Sequence, residues 1–183
     1  LMGGADRDIL IGGEGRDTLN GGIDADSLAG GSGDDLIYGE TGNDMLQGNW
    51  GSDTLYGGAG DDILMGGSGL DKFVGGDGND QLFGQDGIDI FQDGAGMDRY
   101  WGGSGADTFH FKRGTPETNL IHDFTYGVDT LAIDLDGTAA QVIGTSIHSS
   151  IVIYGGGTNI LHISGTHAGL LSVADIQDLD FVW

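Results

Sequence analysis

Aspartate recurs every nine residues through the first part of this 183-residue chain. The series is Asp8, Asp17, Asp26, Asp35, Asp44, Asp53, Asp62, Asp71, Asp80, Asp89, Asp98 and Asp107, without a gap. A carboxylate at constant spacing presents hard anionic oxygens in equivalent surroundings, one per unit. The unit starts at Gly3 and the last copy ends at His110; Gly30–Tyr38 and Gly57–Met65 are clean copies. Its first, second and fourth positions are mostly Gly, and Asp is the sixth. Glycine visits φ > 0 at little cost, so a Gly-rich turn can aim successive carbonyl oxygens at one point. Carbonyls plus one carboxylate per turn form an all-oxygen donor set. That is the chemistry of hard-cation binding.

The elements that must hold these turns follow from position eight, which is apolar in all twelve copies: Leu10, Leu19, Leu28, Ile37, Leu46, Leu55, Leu64, Phe73, Leu82, Phe91, Tyr100 and Phe109. Positions seven to nine are long enough for a very short strand. Alternate side chains of a strand face opposite ways, so position eight points inward while seven and nine point out. Those outer positions vary from Thr18 to Lys72 to Trp101, as water-facing positions can.

Twelve uninterrupted copies with these two invariant positions resemble the RTX family of secreted proteins, whose nonapeptide repeat is a calcium-binding β-helix unit. The resemblance implies an all-β fold: a right-handed parallel β-roll of two short-stranded parallel sheets. Two units make one 18-residue coil, so the repeats make six coils. The Asp residues then fall in two files on opposite edges, Asp8 to Asp98 in steps of 18 and Asp17 to Asp107 in steps of 18. By the resemblance each Ca²⁺ sits between adjacent coils, shared by Asp n and Asp n+18, for about ten ions. Calcium takes six to eight oxygens at about 2.3–2.6 Å. The implied ligand set is the twelve position-six Asp residues with the turn residues Gly13, Gly15, Gly31, Gly33, Gly42, Gly51, Gly58, Gly60, Gly67, Gly69, Gly76, Gly78, Gly87, Gly94, Gly96, Gly103 and Gly105.

Several copies depart from this pattern. Asp6 and Asp24 stand at position four, Glu40, Asn49 and Gln85 at position two, and Asp93 at position one. Asp and Asn tolerate left-handed backbone best among non-Gly residues; Glu40 and Gln85 predict distorted sites nearby. Asp34, Asp61, Asp77 and Asp86 read as water-facing acids. Position nine places Tyr38 one coil from Tyr56, and Phe83 one coil from Trp101, while Trp50 sits in a turn. Such a stripe is either a platform for a sugar ring or a docked domain, or ordinary strand aromatics shielding a thin core.

After His110 the period stops. Pro116, the only proline, marks the exit from the coil. Residues 1–112 therefore read as the roll and residues 113–183 as a C-terminal antiparallel β cap. The run Leu120-Ile121-His122-Asp123-Phe124, followed by Gly127-Val128-Asp129-Thr130-Leu131, resembles the segment that closes RTX blocks. By that resemblance Asp123 and Asp129 complete a terminal calcium site. Alternation then predicts strands at Thr130–Leu135, Ser149–Tyr154 and Asn159–Ile163, with a hairpin loop at Gly155-Gly156-Gly157-Thr158. Leu171–Ile176 reads as a helical turn or a loop before a last strand. The layout is similar to the C-terminal part of serralysin-type proteases and related exported lipases. The terminal Asp180-Phe181-Val182-Trp183 resembles the export signal read by type I (ABC) secretion machinery.

Composition narrows the function. Net charge is −23, and the repeats hold 21 of the 29 acids. Such a chain disfavours nucleic acid and anionic membrane surfaces. About ten Ca²⁺ would bring the charge near −3, so charge balance also asks for cations. No apolar run approaches the roughly 18 residues of a membrane span. There is no Cys, in keeping with a fold fixed by metal and not by disulfides. No His-Glu-x-x-His helix and no Gly-x-Ser-x-Gly elbow is present, and His110, His122, His148, His162 and His167 are scattered. The expectation is a non-catalytic, secreted, extracellular calcium module of a larger bacterial protein. Leu1 and Met2 occupy positions eight and nine of a unit, so further repeats and another domain are expected upstream. The alternative is a module that binds a polysaccharide or a cell surface.

Overall fold

Every regular element in the computed structural model, which is described for residues 1–112, 118–125, 128–135, 138–143, 150–154 and 161–164, is a β-strand. The repeats supply β1 (Met2–Gly4), β2 (Ile9–Glu14), β3 (Thr18–Ile23), β4 (Ser27–Ser32), β5 (Leu36–Thr41), β6 (Met45–Trp50) and β7 (Thr54–Ala59). They continue with β8 (Ile63–Gly69), β9 (Lys72–Asp77), β10 (Gln81–Gly87), β11 (Ile90–Gln92), β12 (Arg99–Ser104) and β13 (Thr108–Lys112). Beyond them lie β14 (Thr118–Ile121), β15 (Thr130–Leu135), β16 (Thr138–Ile143), β17 (Ser150–Tyr154) and β18 (Leu161–Ser164).

Each nine-residue step carries the chain across to the other sheet. Odd-numbered strands up to β15, with β16 at the edge, form one nine-stranded sheet; even-numbered strands up to β14, with β17 and β18, form the other. Because the chain returns to a sheet only after a full coil, neighbouring strands run parallel in register steps of 18, as in Leu28↔Leu46 and Leu55↔Phe73. The architecture is the expected two-sheet parallel β-roll.

Two details differ from the sequence reading. Most repeat strands are six residues long and not three, because pairing runs on through positions one to three of the next unit, as in Gly13↔Gly31. Gly lacks a Cβ, so these backbones can keep their ladder bonds while turning the corner. The number of coils also exceeds six. β14 stacks on β12 with Tyr100 opposite Ile121, and β15 stacks on β13 with Phe109 opposite Leu131. These offsets of 21 and 22 mark a seventh coil built from sequence that has lost the nine-residue period.

The core is the position-eight ladder. From Leu19 to Phe109 these side chains are 0–1% exposed, and Ile121 and Leu131 extend the two rows. The core grows more aromatic toward the seventh coil. Phe91 stacks on Phe73 at 4.7 Å and on Phe109 at 4.8 Å, and Tyr100 meets Phe109 and Phe111 edge-on.

Beyond the repeats the described strands continue the two sheets. The strand read at Thr130–Leu135 is present, but it is parallel to β13 on one side and antiparallel to β16 on the other. β17 and β18 fall close to their expected bounds and add antiparallel strands to the second sheet beyond β14. Both sheets of the roll thus continue into the cap, and only their outer strands reverse direction. β16 is not among the strands expected from the sequence, since Thr138-Ala139-Ala140-Gln141-Val142-Ile143 does not alternate and carries two Ala and a Gln at its centre. The loop at Gly155–Thr158, the segment Leu171–Ile176 and the tail Asp180–Trp183 lie outside the described residues.

Candidate metal centre

The position-six carboxylates sit at the corners between the two sheets, held by the strand that starts one residue later. Their Oδ1 atoms form a continuous ladder along each edge. The backbone N–H of Asp44 donates to Asp62 Oδ1 at 2.8 Å, and that of Asp62 donates to Asp80 Oδ1 at 2.9 Å. The same bond links every Asp n to Asp n+18, from Asp8 to Asp98 and from Asp17 to Asp107, at 2.7–2.9 Å. The 18-residue pairing implied by the resemblance is therefore a physical contact between neighbouring coils.

Oδ2 is a different matter. In eleven of the twelve residues this atom is buried and accepts no hydrogen bond; Asp98 is the exception. A buried polar atom with no partner costs on the order of 1–3 kcal/mol, and more when charged. Eleven repetitions along two lines is a built feature. The turn glycines show what surrounds the orphan oxygen. A Cβ added at Gly12 would lie 2.7 Å from Asp17 Oδ2 and 2.5 Å from the Gly30 carbonyl oxygen; at Gly3 it would lie 2.5 Å from Asp8 Oδ2 and 2.6 Å from the Gly21 carbonyl oxygen. Position one is thus Gly because a side chain there would fill a space lined by a carboxylate oxygen and a carbonyl of the next coil.

Oxygens without donors that face one another favour either a proton or a cation. Burial pushes the carboxyls of Asp62, Asp80 and Asp89 up to about 7, against a partial offset from the backbone N–H each accepts, and neighbouring Asp carboxylates push the same way. Asp53, Asp71 and Asp107 rise to about 6 for the same leading reason. Among the described residues no three His, Cys, Asp or Glu side chains come together as a metal cluster. Coordination at these corners would therefore draw mostly on backbone carbonyls, with one or two carboxylates. That donor set suits a hard, oxygen-seeking, geometrically tolerant cation such as Ca²⁺, and not zinc, which takes three or four N, S or carboxylate side chains.

The turn backbones follow the motif. Asp6, Asp24, Glu40, Asn49 and Gln85, the five non-Gly residues at positions two and four, all adopt φ of 72–80°. Of the turn glycines in the expected ligand set, Gly94 alone lies outside positive φ.

The seventh coil completes the ladders with Asp129 and with one residue not singled out in the sequence, Asn119. Asp98 N–H donates to Asn119 Oδ1 at 2.8 Å, so a neutral amide occupies the next rung of that file. On the other edge Asp107 N–H donates to Asp129 Oδ1 at 2.9 Å. Asp129 Oδ2 accepts from Thr125 N–H, and the two oxygens of Asp123 accept from the N–H groups of Gly102 and Gly103. Both aspartates singled out for a terminal site thus bind backbone of the last coils. Asn119 carried no sequence signal, because the offset of 21 breaks the register by which it could have been found.

A second ladder lies outside the first. Position-five side chains accept from the coil above: Asp61 N–H donates to Asn43 Oδ1, Asn79 N–H to Asp61 Oδ1, and Met97 N–H to Asn79 Oδ1. Asp34 likewise accepts from Ser52 N–H, and Asp86 from the Ser104 hydroxyl. Asp34, Asp61 and Asp86 face water as expected, yet they also tie adjacent coils together.

The aromatic side chains of the stripe stack on one another. Tyr38 stacks on Tyr56 at 4.9 Å, and Trp101 lies between Phe83 at 4.4 Å and His122 at 4.2 Å. The rings turn their faces to one another, so Trp101 has no open face on which a sugar could stack.

The RTX calcium-binding nonapeptide repeat family matches the chain in four copies, at residues 2–37, 21–55, 38–73 and 74–109. No curated protein matches the chain. No helix among the described residues is long and apolar enough to cross a membrane. With the repeat matched over more than half its length and the carboxylate ladders in place, the chain belongs to the family of RTX calcium-binding nonapeptide repeat proteins.

Proposed function

We propose that this chain is a non-catalytic calcium module of a larger secreted bacterial protein, which folds when it meets calcium outside the cell and stabilises the domain that precedes it. The observation that supports this reading is the double row of buried Oδ2 atoms without hydrogen-bond donors. Each row crosses the coils at their Gly-rich corners, where, as at Gly3 and Gly12, a carbonyl oxygen of the next coil stands beside Oδ2. Bound Ca²⁺ would supply the positive charge that these oxygens lack. The chain's own part is to hold them ready: the strands fix the corners, the glycines keep the space open, and each Oδ1–N–H bond joins one coil to the next. With two files and ions between successive coils, the proposed load is about ten ions.

The switch rests on magnitudes. Without cations the 19 Asp residues of the repeats repel one another and the Gly-rich turns are costly to order. Extracellular calcium modules bind at about 10⁻⁴–10⁻³ M. At tenfold saturation each site adds about 1.4 kcal/mol, and about ten sites give roughly 14 kcal/mol, the stability of a whole domain. In a cytosol far below that concentration the contribution vanishes, which keeps the chain threadable. Export by type I machinery, guided by Asp180–Trp183, belongs to the same proposal.

A calcium titration followed by far-ultraviolet circular dichroism and small-angle scattering tests it. The expected course is an expanded chain in chelator that becomes compact and β-rich in one steep transition, with magnesium unable to substitute. A chain already compact in chelator, or a gradual titration, overturns the switch.

A further inference from the structure

The eleventh repeat breaks the pattern at three points that meet in space. Position one is Asp93 and not Gly, so a side chain stands where the other repeats keep an open cradle. Position eight is Tyr100, the only hydroxyl in the core ladder, and its OH lies 3.1 Å from Asp98 Oδ2 and 3.4 Å from Asp93 Oδ1. The next rung of the file is Asn119, whose Nδ2 donates to Asp93 Oδ1 at 2.6 Å while its Oδ1 accepts from Asp98 N–H. The backbone changes as well. β11 stops at Gln92, three residues short of the usual strand, and Gly94 has left the positive-φ region kept by the other position-two glycines of the roll. Asp93 is 6% exposed and Asn119 3%, so the cluster is inside the molecule and not on its rim.

These changes are complementary. In eleven repeats the Oδ2 atom waits for a positive partner; in this one it faces a phenol hydroxyl. In the regular repeats the space beside Oδ2 is kept clear by Gly; here a carboxyl fills it and is itself held by an amide. The chemistry supplied elsewhere from solution is supplied here by side chains. We propose that the corner of the eleventh repeat is closed to cations. Tyr100 gives Asp98 Oδ2 the donor that an ion gives elsewhere, Asp93 fills the cradle and Asn119 holds Asp93 there, so the edge from Asp8 to Asp98 binds one Ca²⁺ fewer than the edge from Asp17 to Asp107. The closed corner joins β12 to β14 of the seventh coil, so the cap is locked to the roll by hydrogen bonds that calcium removal does not break. The inference rests on calcium occupying the other corners.

Counting ions by native mass spectrometry at saturating calcium tests it. Restoring the regular residues in the double variant Asp93→Gly/Tyr100→Phe reopens the cradle and removes the phenol donor to Asp98 Oδ2, and the expected count rises by one. Asp98→Asn keeps the Oδ1 acceptor for Asp80 N–H and is expected to hold the wild-type count, whereas Asp62→Asn loses at least one ion. An unchanged or lower count in the double variant, or a lost ion in Asp98→Asn, overturns the closed corner. A wild-type chain that binds no calcium at all overturns the underlying reading instead, so the two failures are distinguishable.

Discussion

At the scale of single residues, the position-six aspartates from Asp26 to Asp107, Asp98 excepted, divide their two oxygens between two jobs. Oδ1 holds the neighbouring coil through a backbone N–H, and Oδ2 is left for a charge partner. Asp62 stands between Asp44 and Asp80 on its edge, while Asp8 begins the file. Asp62→Ala is therefore expected to lose two bound ions and Asp8→Ala one, read by native mass spectrometry; equal losses would contradict sharing between coils. The same oxygens set the response to pH. Asp62, Asp80 and Asp89 keep their proton up to about pH 7 in the metal-free fold, because burial disfavours the charged form. The unfolded chain gives that proton up in the ordinary carboxylate range near 4. The folded state thus binds more protons between these limits, so metal-free stability is full below the lower one and is lost as pH rises through 7. Acidifying the protein in chelator from pH 8 to pH 5 is expected to increase β structure by circular dichroism. At pH 5 the calcium midpoint should move to higher concentration, since protons compete for the same oxygens. No gain of structure on acidification would mean that the ladder carboxylates are not buried in the metal-free state.

At the scale of the elements, the strand and the corner are one device. Six-residue strands run their pairing into the glycine positions, and this continuity aligns one corner over the next. The outer position-five ladder through Asn43, Asp61 and Asn79 reinforces the same stacking with exposed hydrogen bonds. The core contributes only one side chain per repeat, so its largest members matter most. Phe91 touches Phe73, Phe109 and Tyr100, which makes it the centre of the aromatic end of the roll. Phe91→Ala should cost about 3–5 kcal/mol, measured by denaturation of the calcium-loaded protein. A cost under about 1 kcal/mol would show that the roll closes around the cavity.

At the scale of the whole molecule, charge and architecture act together. A net charge of −23 on a thin two-sheet stack is self-repulsive until cations neutralise the corners. Each coil contacts mainly its neighbours, as in other solenoids, so a cap is needed at the open end. Here the two sheets pass without interruption into β14 and β15 before their edges reverse at β16 and β17. On the proposed reading, calcium-dependent folding and export belong to separate parts of the chain. Deleting Asp180–Trp183 is expected to block type I export while leaving the calcium-induced transition within a few per cent of full amplitude. Export at the normal rate after that deletion would place the signal elsewhere, with Leu171–Asp178 the next segment to remove.

Most of the roll was legible in the amino-acid order because the repeat is local: Gly at the turn positions, an invariant Asp and an invariant apolar residue prescribe one corner and one strand within nine residues. The two files of carboxylates, the 18-residue register and the all-β class follow from that period together with its resemblance to the RTX repeat. Where the period ended, so did legibility. Asn119 and Asp129 take ladder positions through offsets of 21 and 22, which no spacing rule announces. The open or covered state of an aromatic face also depends on neighbours a full coil away, as Phe83, Trp101 and His122 show. Asp93 and Tyr100 look like isolated departures in the sequence. They become a single device only when the eleventh corner brings both to Asp98, because hydrogen bonding over about 3 Å is decided by folded distance and not by position along the chain.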